Sequence, residues 1–308
     1  MRIVPCPASP GAVVSAARSA SPDAPSADAR AGGASAAGVE AAAAGRRAAA
    51  KSDRTAGAEA RTATFRVWRG DAAGGELVDY RTPVSEGMVV LDAIHAIQAE
   101  QANDLAVRWN CKAGKCGSCS AEINGMPRLM CMTRMSDIDL DQPVTVEPMR
   151  AFPPVRDLVT DVSWNFRAKM TLKPFNPRAP DAADGTWRMD QRDVDRVQEF
   201  RKCIECFLCQ DVCHVLRDHH KHAEFVGPRL FVQAAMLEMH PLDVEDRTGE
   251  LRHAHGIGYC NITKCCTKVC PEGITITDNA IIPLKERVVD RDFDPLAKLV
   301  QLATGRKR

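Results

Sequence analysis

The chain has 308 residues, and its 41 basic and 40 acidic side chains leave a formal net charge of +1. This balance argues against a nucleic-acid-binding protein, because such proteins carry a marked excess of basic residues. The sequence contains no run of 18 or more apolar residues. We therefore expect no transmembrane helix and predict a chain that is soluble or attached peripherally to a membrane.

Residues 1–62 are rich in Ala, Gly, Ser and Pro and contain no aromatic side chain. Such a segment cannot bury enough apolar surface to offset the loss of chain entropy on folding. The composition predicts a disordered low-complexity extension, and we assign no function to Cys6 within it. A targeting peptide is the alternative, but the five acidic residues of the segment are untypical of transit peptides.

A compact β-rich domain is predicted over residues 63–150. The stretches TFRVW and LVDYRTPV predict two strands of a hairpin that starts near Thr64, with the turn-prone RGDAAGGE between them. Further short strands are predicted around SAEING and VTVEPM. Between these pairs, VVLDAIHAIQAEQ has the apolar spacing of a helix that packs across a sheet. The predicted apolar face of this helix consists of Val90, Leu91, Ile94 and Ile97.

The first cysteine group lies in CKAGKCGSCSAEINGMPRLMC. Its spacing, C-x4-C-x2-C followed by one distant cysteine, is that of plant-type [2Fe-2S] ligation. Gly114 and Gly117 provide the backbone freedom that a loop needs to curl over a cluster. A structural zinc site is the alternative, although such sites usually use two short paired knuckles. The predicted [2Fe-2S] ligands are Cys111, Cys116, Cys119 and Cys131.

Residues 151–188 are predicted to connect this domain to a second one and to contain the loop PRAPDAADG. The second domain, residues 189–308, has helical spacing in DQRDVDRVQEFRKC, PRLFVQAAMLEM and IIPLKERVVD. Gly227 and Pro228 mark the start of the second of these helices. We therefore predict a mainly helical domain.

The helical domain contains two cysteine runs. CIECFLCQDVC has the C-x2-C-x2-C-x3-C spacing of bacterial ferredoxins, in which the fourth cysteine serves the other cluster. CNITKCCTKVCP matches the same run when aligned from its final Cys-Pro pair, but Thr263 replaces one cysteine. By this crossed rule the predicted [4Fe-4S] ligands are Cys203, Cys206, Cys209 and Cys270, and the predicted [3Fe-4S] ligands are Cys213, Cys260 and Cys266.

Cys265 is one cysteine more than the crossed runs require. It is interpreted either as a small buried thiol or as a fourth ligand that would convert the second cluster into [4Fe-4S]. Because a shift of one residue on a helical turn points the side chain elsewhere, the sequence favours the buried thiol.

A plant-type loop followed by a crossed, incomplete bacterial-type pair resembles the iron-sulfur subunit of succinate dehydrogenases and fumarate reductases. The likeness covers roughly residues 63–295 and includes LDAIHAIQ, PVRDLV and both cysteine runs. It implies an α+β chain in which a plant-type ferredoxin-like β-grasp domain precedes a mainly α-helical bacterial-ferredoxin-like domain. The cysteines named above correspond to the ligands of the three clusters in that family.

The resemblance implies electron transfer, within the tricarboxylic acid cycle and respiratory chain, between a flavoprotein subunit that handles succinate and fumarate and membrane quinone near the [3Fe-4S] end. Flavin is expected on the partner, and no catalytic acid or base is expected here. Membrane-anchor subunits should hold the chain on the cytoplasmic face of a bacterial inner membrane or on the matrix face of the mitochondrial one. His214 and Asn261 depart from many relatives, so no quinone contact is assigned.

Two alternatives to this function are kept. One is an iron-sulfur subunit of another flavin- or disulfide-linked reductase complex, of the heterodisulfide- or glycolate-type. The other is a zinc-stabilised binding module without electron transfer.

Overall fold

The structure of the protein is a computed structural model that describes residues 61–296 and 299. The predicted disordered extension, including Cys6, lies outside the described residues apart from its last two positions. Those two residues, Arg61 and Thr62, already belong to the first strand, which begins three residues before the predicted start at Thr64.

One sheet forms the amino-terminal part of the described chain. Its strands are β1 (Arg61–Asp71), β2 (Gly74–Val84), β3 (Ser120–Ile123), β4 (Met126–Leu129), β5 (Val144–Glu147), β6 (Pro154–Arg156) and β7 (Val159–Thr160). The strand order is β4-β3-β5-β1-β6-β7, and β2 pairs with β1. β1 and β5 are parallel, whereas β3 is antiparallel to both β4 and β5. The predicted strands are confirmed; β4, β6 and β7 were not predicted.

A helix packs on this sheet as predicted. It is α1 (Val90–Glu100), and the four residues of its predicted apolar face are all buried. They share one core with alternate residues of the central strands, such as Phe65 in β1 and Val146 in β5. Since alternate side chains of a strand point to one face, the pattern of each element places its apolar residues in this core.

The carboxyl-terminal part is helical. Its α-helices within the described residues are α2 (Ser163–Met170), α3 (Gln191–Gln198), α4 (Leu208–Asp211), α5 (His214–Arg217), α6 (Pro228–Glu238), α7 (Thr248–His253), α8 (Cys265–Lys268) and α9 (Ile282–Phe293). A π-helical turn, Ile276–Ile281, leads directly into α9. The three predicted helices are confirmed as α3, α6 and α9, and α6 starts at Pro228 as expected. In the described part of the chain, no helix is both long enough and apolar enough to cross a bilayer.

A buried arginine ties the segment after α2 to the helical part. Arg247 is fully buried, and its guanidinium donates to the carbonyl oxygens of Lys173 at 2.9 Å and Pro174 at 2.6 Å. The same group pairs with the Asp243 carboxylate at 2.8 Å. A planar guanidinium can satisfy several acceptors at once, so one side chain anchors this segment. The predicted loop PRAPDAADG follows it and forms no helix or strand.

Residues 151–188 contribute to both parts of the protein. β6 and β7 extend the sheet, whereas Phe152 and Leu172 are buried in the core of the helical part. The segment thus does more than connect two bodies. The domain boundaries at residues 150 and 188 remain predictions.

Candidate metal centres

Three cysteines of the first group, Cys111, Cys116 and Cys119, lie in a curled loop between α1 and β3, and Cys131 follows β4. Lys112, Gly114 and Gly117 have φ angles of 55°, 67° and 68°, in the left-handed region that favours glycine. Both glycines therefore adopt the backbone conformation for which the sequence analysis required them. The curl turns peptide N–H groups toward sulfur, and the N–H of Lys115 donates to Cys111 Sγ at 3.3 Å. Hydrogen-bond donors of this kind stabilise a negatively charged cluster and help to set its reduction potential.

The four thiols of this group form two neighbouring pairs. Cys116 Sγ accepts the N–H groups of Cys111 and Ser118, each at 3.5 Å. Burial opposes ionisation there, but the Ser118 side chain together with these peptide N–H groups outweighs it and lowers the pKa of Cys116 to about 6. Cys119 and Cys131 are buried, and burial together with the adjacent Cys131 thiol raises the pKa of Cys119 to about 12. The loop thus offers one readily ionised thiol and one that needs a bound cation to ionise.

The two later cysteine runs have the same backbone conformation. In each run the second and fourth residues after the first cysteine are left-handed. They are Glu205 and Phe207 in one run, with φ of 55° and 62°, and Ile262 and Lys264 in the other, with φ of 61° and 63°. A left-handed isoleucine is strained, so its presence indicates that the curl is imposed by the fold of the run.

This repeat assigns equivalent positions in the two runs. α4 and α8 both start five residues after the first cysteine, at Leu208 and Cys265. Thr263 therefore occupies the position of Cys206, and Cys265 occupies the position of Leu208. Leu208 is a core residue with 1% of its surface exposed. The extra cysteine stands at a packing position of the repeat.

A first cavity collects thiols from both runs. It measures about 360 Å³ including its open mouth. Burial raises the pKa of Cys206 to about 12, and burial together with the neighbouring thiols raises the pKa of Cys209 well above its ordinary value. The N–H of Ile274 donates to Cys270 Sγ at 3.4 Å. The thiols that line this cavity are Cys203, Cys206, Cys209 and Cys270.

The remaining thiols line a second cavity, which measures about 340 Å³ including its open mouth. Thr263 lines it, and so does Cys265, whose Sγ is 3.8 Å from the Thr263 carbonyl oxygen. Cys265 is 5% exposed, as the interpretation of a buried thiol requires. His214 and Asn261 also line this cavity. The three predicted ligands in its wall are Cys213, Cys260 and Cys266.

The residues present fit iron-sulfur clusters. Among the described residues, no three His, Cys, Asp or Glu side chains converge on the position of a single metal ion. The thiols of the two later runs instead line the walls of cavities, and peptide N–H groups point at sulfurs in the first loop and at Cys270. A cluster of several iron and sulfide atoms takes its thiolates in this way, with hydrogen bonds to the sulfurs.

A buried acidic residue lies between the sheet and the helical part. Glu122 in β3 is fully buried, and its Oε2 accepts from Arg217 at 2.9 Å and pairs with Arg150 at 3.1 Å. Burial, and next the charge of the buried Asp211, raises the pKa of Glu122 to about 8, although both arginines oppose this shift. Glu147 adds a smaller repulsion. Burial therefore favours the protonated form of Glu122 in the folded protein more strongly than the two arginines favour its carboxylate.

We expect this carboxyl group to make stability depend on pH. A folded pKa above the ordinary value of 4.5 means that its contribution is complete below about pH 4.5 and is lost as the pH rises through about 8. The free energy of unfolding should fall by on the order of 5 kcal/mol between pH values below 4.5 and above 8, since each pH unit between the two pKa values contributes about 1.4 kcal/mol. Glu122→Gln cannot ionise and should flatten the profile, as measured by thermal unfolding midpoints at several pH values. Glu147→Gln is the matched control, and equal slopes in Glu122→Gln and the wild type would contradict the assignment.

Three hydroxyl residues near the thiols were not predicted. Ser118 and Ser120 flank Cys119, so a short polar residue beside a ligand was an available signal. The backbone N–H of Ser118 donates to Cys116 Sγ. The hydroxyl of Ser120 donates to the backbone carbonyl oxygen of Cys206. Thr277 lies 3.4 Å from Cys266 Sγ, but it comes from the π-helical turn and no sequence pattern marks it.

Comparisons with known proteins agree with this geometry. Residues 64–167 match the family described as a 2Fe-2S iron-sulfur cluster binding domain, and residues 199–274 match a 4Fe-4S dicluster domain. Each match contains the cysteines of its region. Matches of these two kinds favour iron-sulfur clusters over the zinc alternative.

Curated relatives and a solved structure are similar to this chain. The fumarate reductase iron-sulfur subunit of Mycobacterium tuberculosis is 36% identical over 200 residues, covering 63% of this chain and 79% of the relative. The succinate dehydrogenase iron-sulfur subunit of Bacillus subtilis is 30% identical over 235 residues, covering 70% and 89%. A chain in the structure of the Mycobacterium smegmatis Sdh1 complex in the apo form is 62% identical, with a TM-score of 0.74, covering 77% of this chain and 99% of that one.

Proposed function

Because the chain belongs to the iron-sulfur subunits of succinate dehydrogenases and fumarate reductases, we propose a route by which its residues carry electrons. Electron transfer is its function, and it is part of an oxidoreductase by membership of the complex. The proposed route for the electrons rests on one observation. Cys111 is exposed, Ser120 beside Cys119 donates to the carbonyl oxygen of Cys206 in the first cavity, and both later runs contribute thiols to the two cavities.

The proposed ligand sets follow this arrangement. The lining of each cavity supports the crossed assignment, since Cys270 faces the thiols of the earlier run and Cys213 faces those of the later one. The sets are Cys111, Cys116, Cys119 and Cys131 for [2Fe-2S], Cys203, Cys206, Cys209 and Cys270 for [4Fe-4S], and Cys213, Cys260 and Cys266 for [3Fe-4S].

The three-iron composition of the last centre is proposed from the repeat. Thr263 stands where the other run has Cys206 and faces the cavity. A threonine hydroxyl is a poor iron ligand beside thiolates, so three thiolates would hold three irons. The packing position of Cys265 supports its exclusion from the ligand set.

The domains are proposed as a plant-type ferredoxin-like β-grasp domain over 63–150 and a bacterial-ferredoxin-like domain over 189–308. The parallel pairing of β1 with β5, with α1 packed across the sheet, supports the first name. The repeated cysteine runs, with matching left-handed residues and short helices, support the second.

The chemistry supplied by the bound clusters is one-electron oxidation and reduction. The residues of this chain hold, space and insulate the clusters. Peptide N–H groups and Ser118 stabilise charge on the thiolates, and buried side chains such as Leu208 exclude water around them. No acid, base or nucleophile of this chain is required, so we propose none.

The partners are proposed from membership of the complex. A flavoprotein subunit that binds flavin and interconverts succinate and fumarate should face the exposed Cys111 loop. Membrane-anchor subunits and quinone should lie near the second cavity. We place the chain peripherally on the cytoplasmic face of a bacterial inner membrane, or the equivalent matrix face.

Purification of the complex from native membranes tests the function. We expect a flavoprotein and membrane chains to accompany this protein, and succinate to bleach the iron-sulfur absorbance. The chain separated from the flavoprotein is the control and should stay oxidised with succinate while dithionite still reduces it. Clusters that remain oxidised in the intact complex with succinate would instead indicate a different flavin- or disulfide-linked reductase.

A further inference from the structure

The first loop and the second cysteine run meet at a hydrogen bond. Ser120 directly follows Cys119, and its Oγ lies 2.8 Å from the carbonyl oxygen of Cys206 and 2.9 Å from that of Gly117. The single hydroxyl proton of Ser120 is shared between these two carbonyl oxygens. Ser120 and Cys206 are buried, so water does not compete for the bond. We call this contact between Gly117, Ser120 and Cys206 the seam.

Gly117 brings the two backbones together at the seam. A Cβ atom at this position would lie 2.6 Å from Cys206 Cα and 3.0 Å from its backbone N. Both are backbone atoms, which cannot move aside by a side-chain rotation. The φ of 68° also disfavours other residues. The observed separation therefore requires glycine here.

Contacts on several sides hold the seam at a fixed separation. Leu208, two residues after Cys206, packs into the core of the sheet. The buried Glu122 pairs with Arg217 at 2.9 Å. At the outer edge Lys115 pairs with Glu272 at 3.2 Å. The seam is thus a rigid junction between the sheet and the helical part.

We infer that Gly117 and Ser120 are positioning residues for electron transfer, because they hold the loop of the first centre against a ligand of the second. This inference rests on the ligand sets of the proposed function. With both clusters bound, one electron would pass from the centre held by Cys116 and Cys119, which would be oxidised, to the centre held by Cys206, which would be reduced, and no bond would form or break. Tunnelling falls steeply with separation, so a wider seam slows the crossing.

The test uses the purified complex with Gly117→Ala and with Ser120→Ala. Paramagnetic centres relax faster when a second reduced centre is close, so microwave power saturation of the [2Fe-2S] resonance reports their separation. We expect both variants to lose part of the relaxation enhancement seen in the wild type. Reduction of the [4Fe-4S] centre after flash photoreduction should slow several-fold. Iron and acid-labile sulfide are measured for each sample.

Gly125→Ala is the matched control. Gly125 has a φ of 73°, but a Cβ there would meet no atom within 4 Å. It carries the same backbone strain without the seam contact, so its relaxation and transfer rate should equal the wild-type values.

Ser120→Ala decides the outcome if Gly117→Ala assembles less iron, because it removes only a hydroxyl. Full iron content with wild-type relaxation and transfer rate in Ser120→Ala would overturn the inference. A wild-type complex whose clusters succinate does not reduce would overturn the proposed function instead. The two failures are therefore distinguishable.

Discussion

Replacement of Cys270 by alanine should abolish the [4Fe-4S] centre, the same loss that Cys203→Ala causes. The two cysteines lie in different runs but line one cavity, and removal of either leaves three thiolates, which are too few to hold four irons. Electron transfer from succinate to quinone should fall to background, because the middle step of the route is missing. Resonance spectra of the dithionite-reduced complex would measure the loss.

Controls for this prediction come from the other cavity. Cys213→Ala should abolish the three-iron signal instead, although Cys213 belongs to the earlier run. Cys265→Ala should keep all three signals, because this thiol stands at a packing position. If Cys270→Ala removed the three-iron signal while the four-iron signal persisted, the crossed assignment would be wrong.

Thr263→Cys should convert the second centre from [3Fe-4S] to [4Fe-4S]. The new thiol would occupy the position that Cys206 has in the other run and would face the cavity. Iron should rise from about nine to about ten atoms per chain, and the three-iron signal of the oxidised protein should disappear. Quinone reduction should change as well, since cluster type and net charge set the potential.

Thr263→Val is the matched control because it keeps the shape of threonine and removes the hydroxyl. It should retain the three-iron signal, since the hydroxyl is not proposed as a ligand. An unchanged iron content and signal in Thr263→Cys would show that the position does not reach the cluster. Loss of iron in Cys265→Ala would favour the rival in which that thiol is the fourth ligand.

Most long elements followed from local pattern. β1, β2, α1, α6 and α9 have clear apolar periodicity, and their structure agrees with it. The missed strands are short. β4 and β6 contain Pro127 and Pro154, which weaken a strand signal, and they exist because neighbouring strands offer partners. α2 was missed because its apolar residues have no helical spacing.

The candidate site was likewise predicted in part from the sequence and completed by the structure. Spacing between cysteines is a local covalent constraint, so it was sufficient to identify three groups of thiols, the place of Thr263 and the crossed pairing rule. The same spacing aligns Cys265 with Leu208, and the structure added that both residues start a short helix after matching left-handed residues and that both are buried. Burial depends on tertiary packing, which residue spacing alone does not express.

Cysteine spacing and apolar periodicity are properties of short segments, and from them come the class of cofactor, the number of ligands and the main helices and strands. The bond from Ser120 to Cys206 and the buried pair of Glu122 with Arg217 join segments that are far apart in the chain. Such contacts depend on how the sheet packs against the helical part. Packing therefore establishes the separation of the proposed centres, on which electron transfer depends.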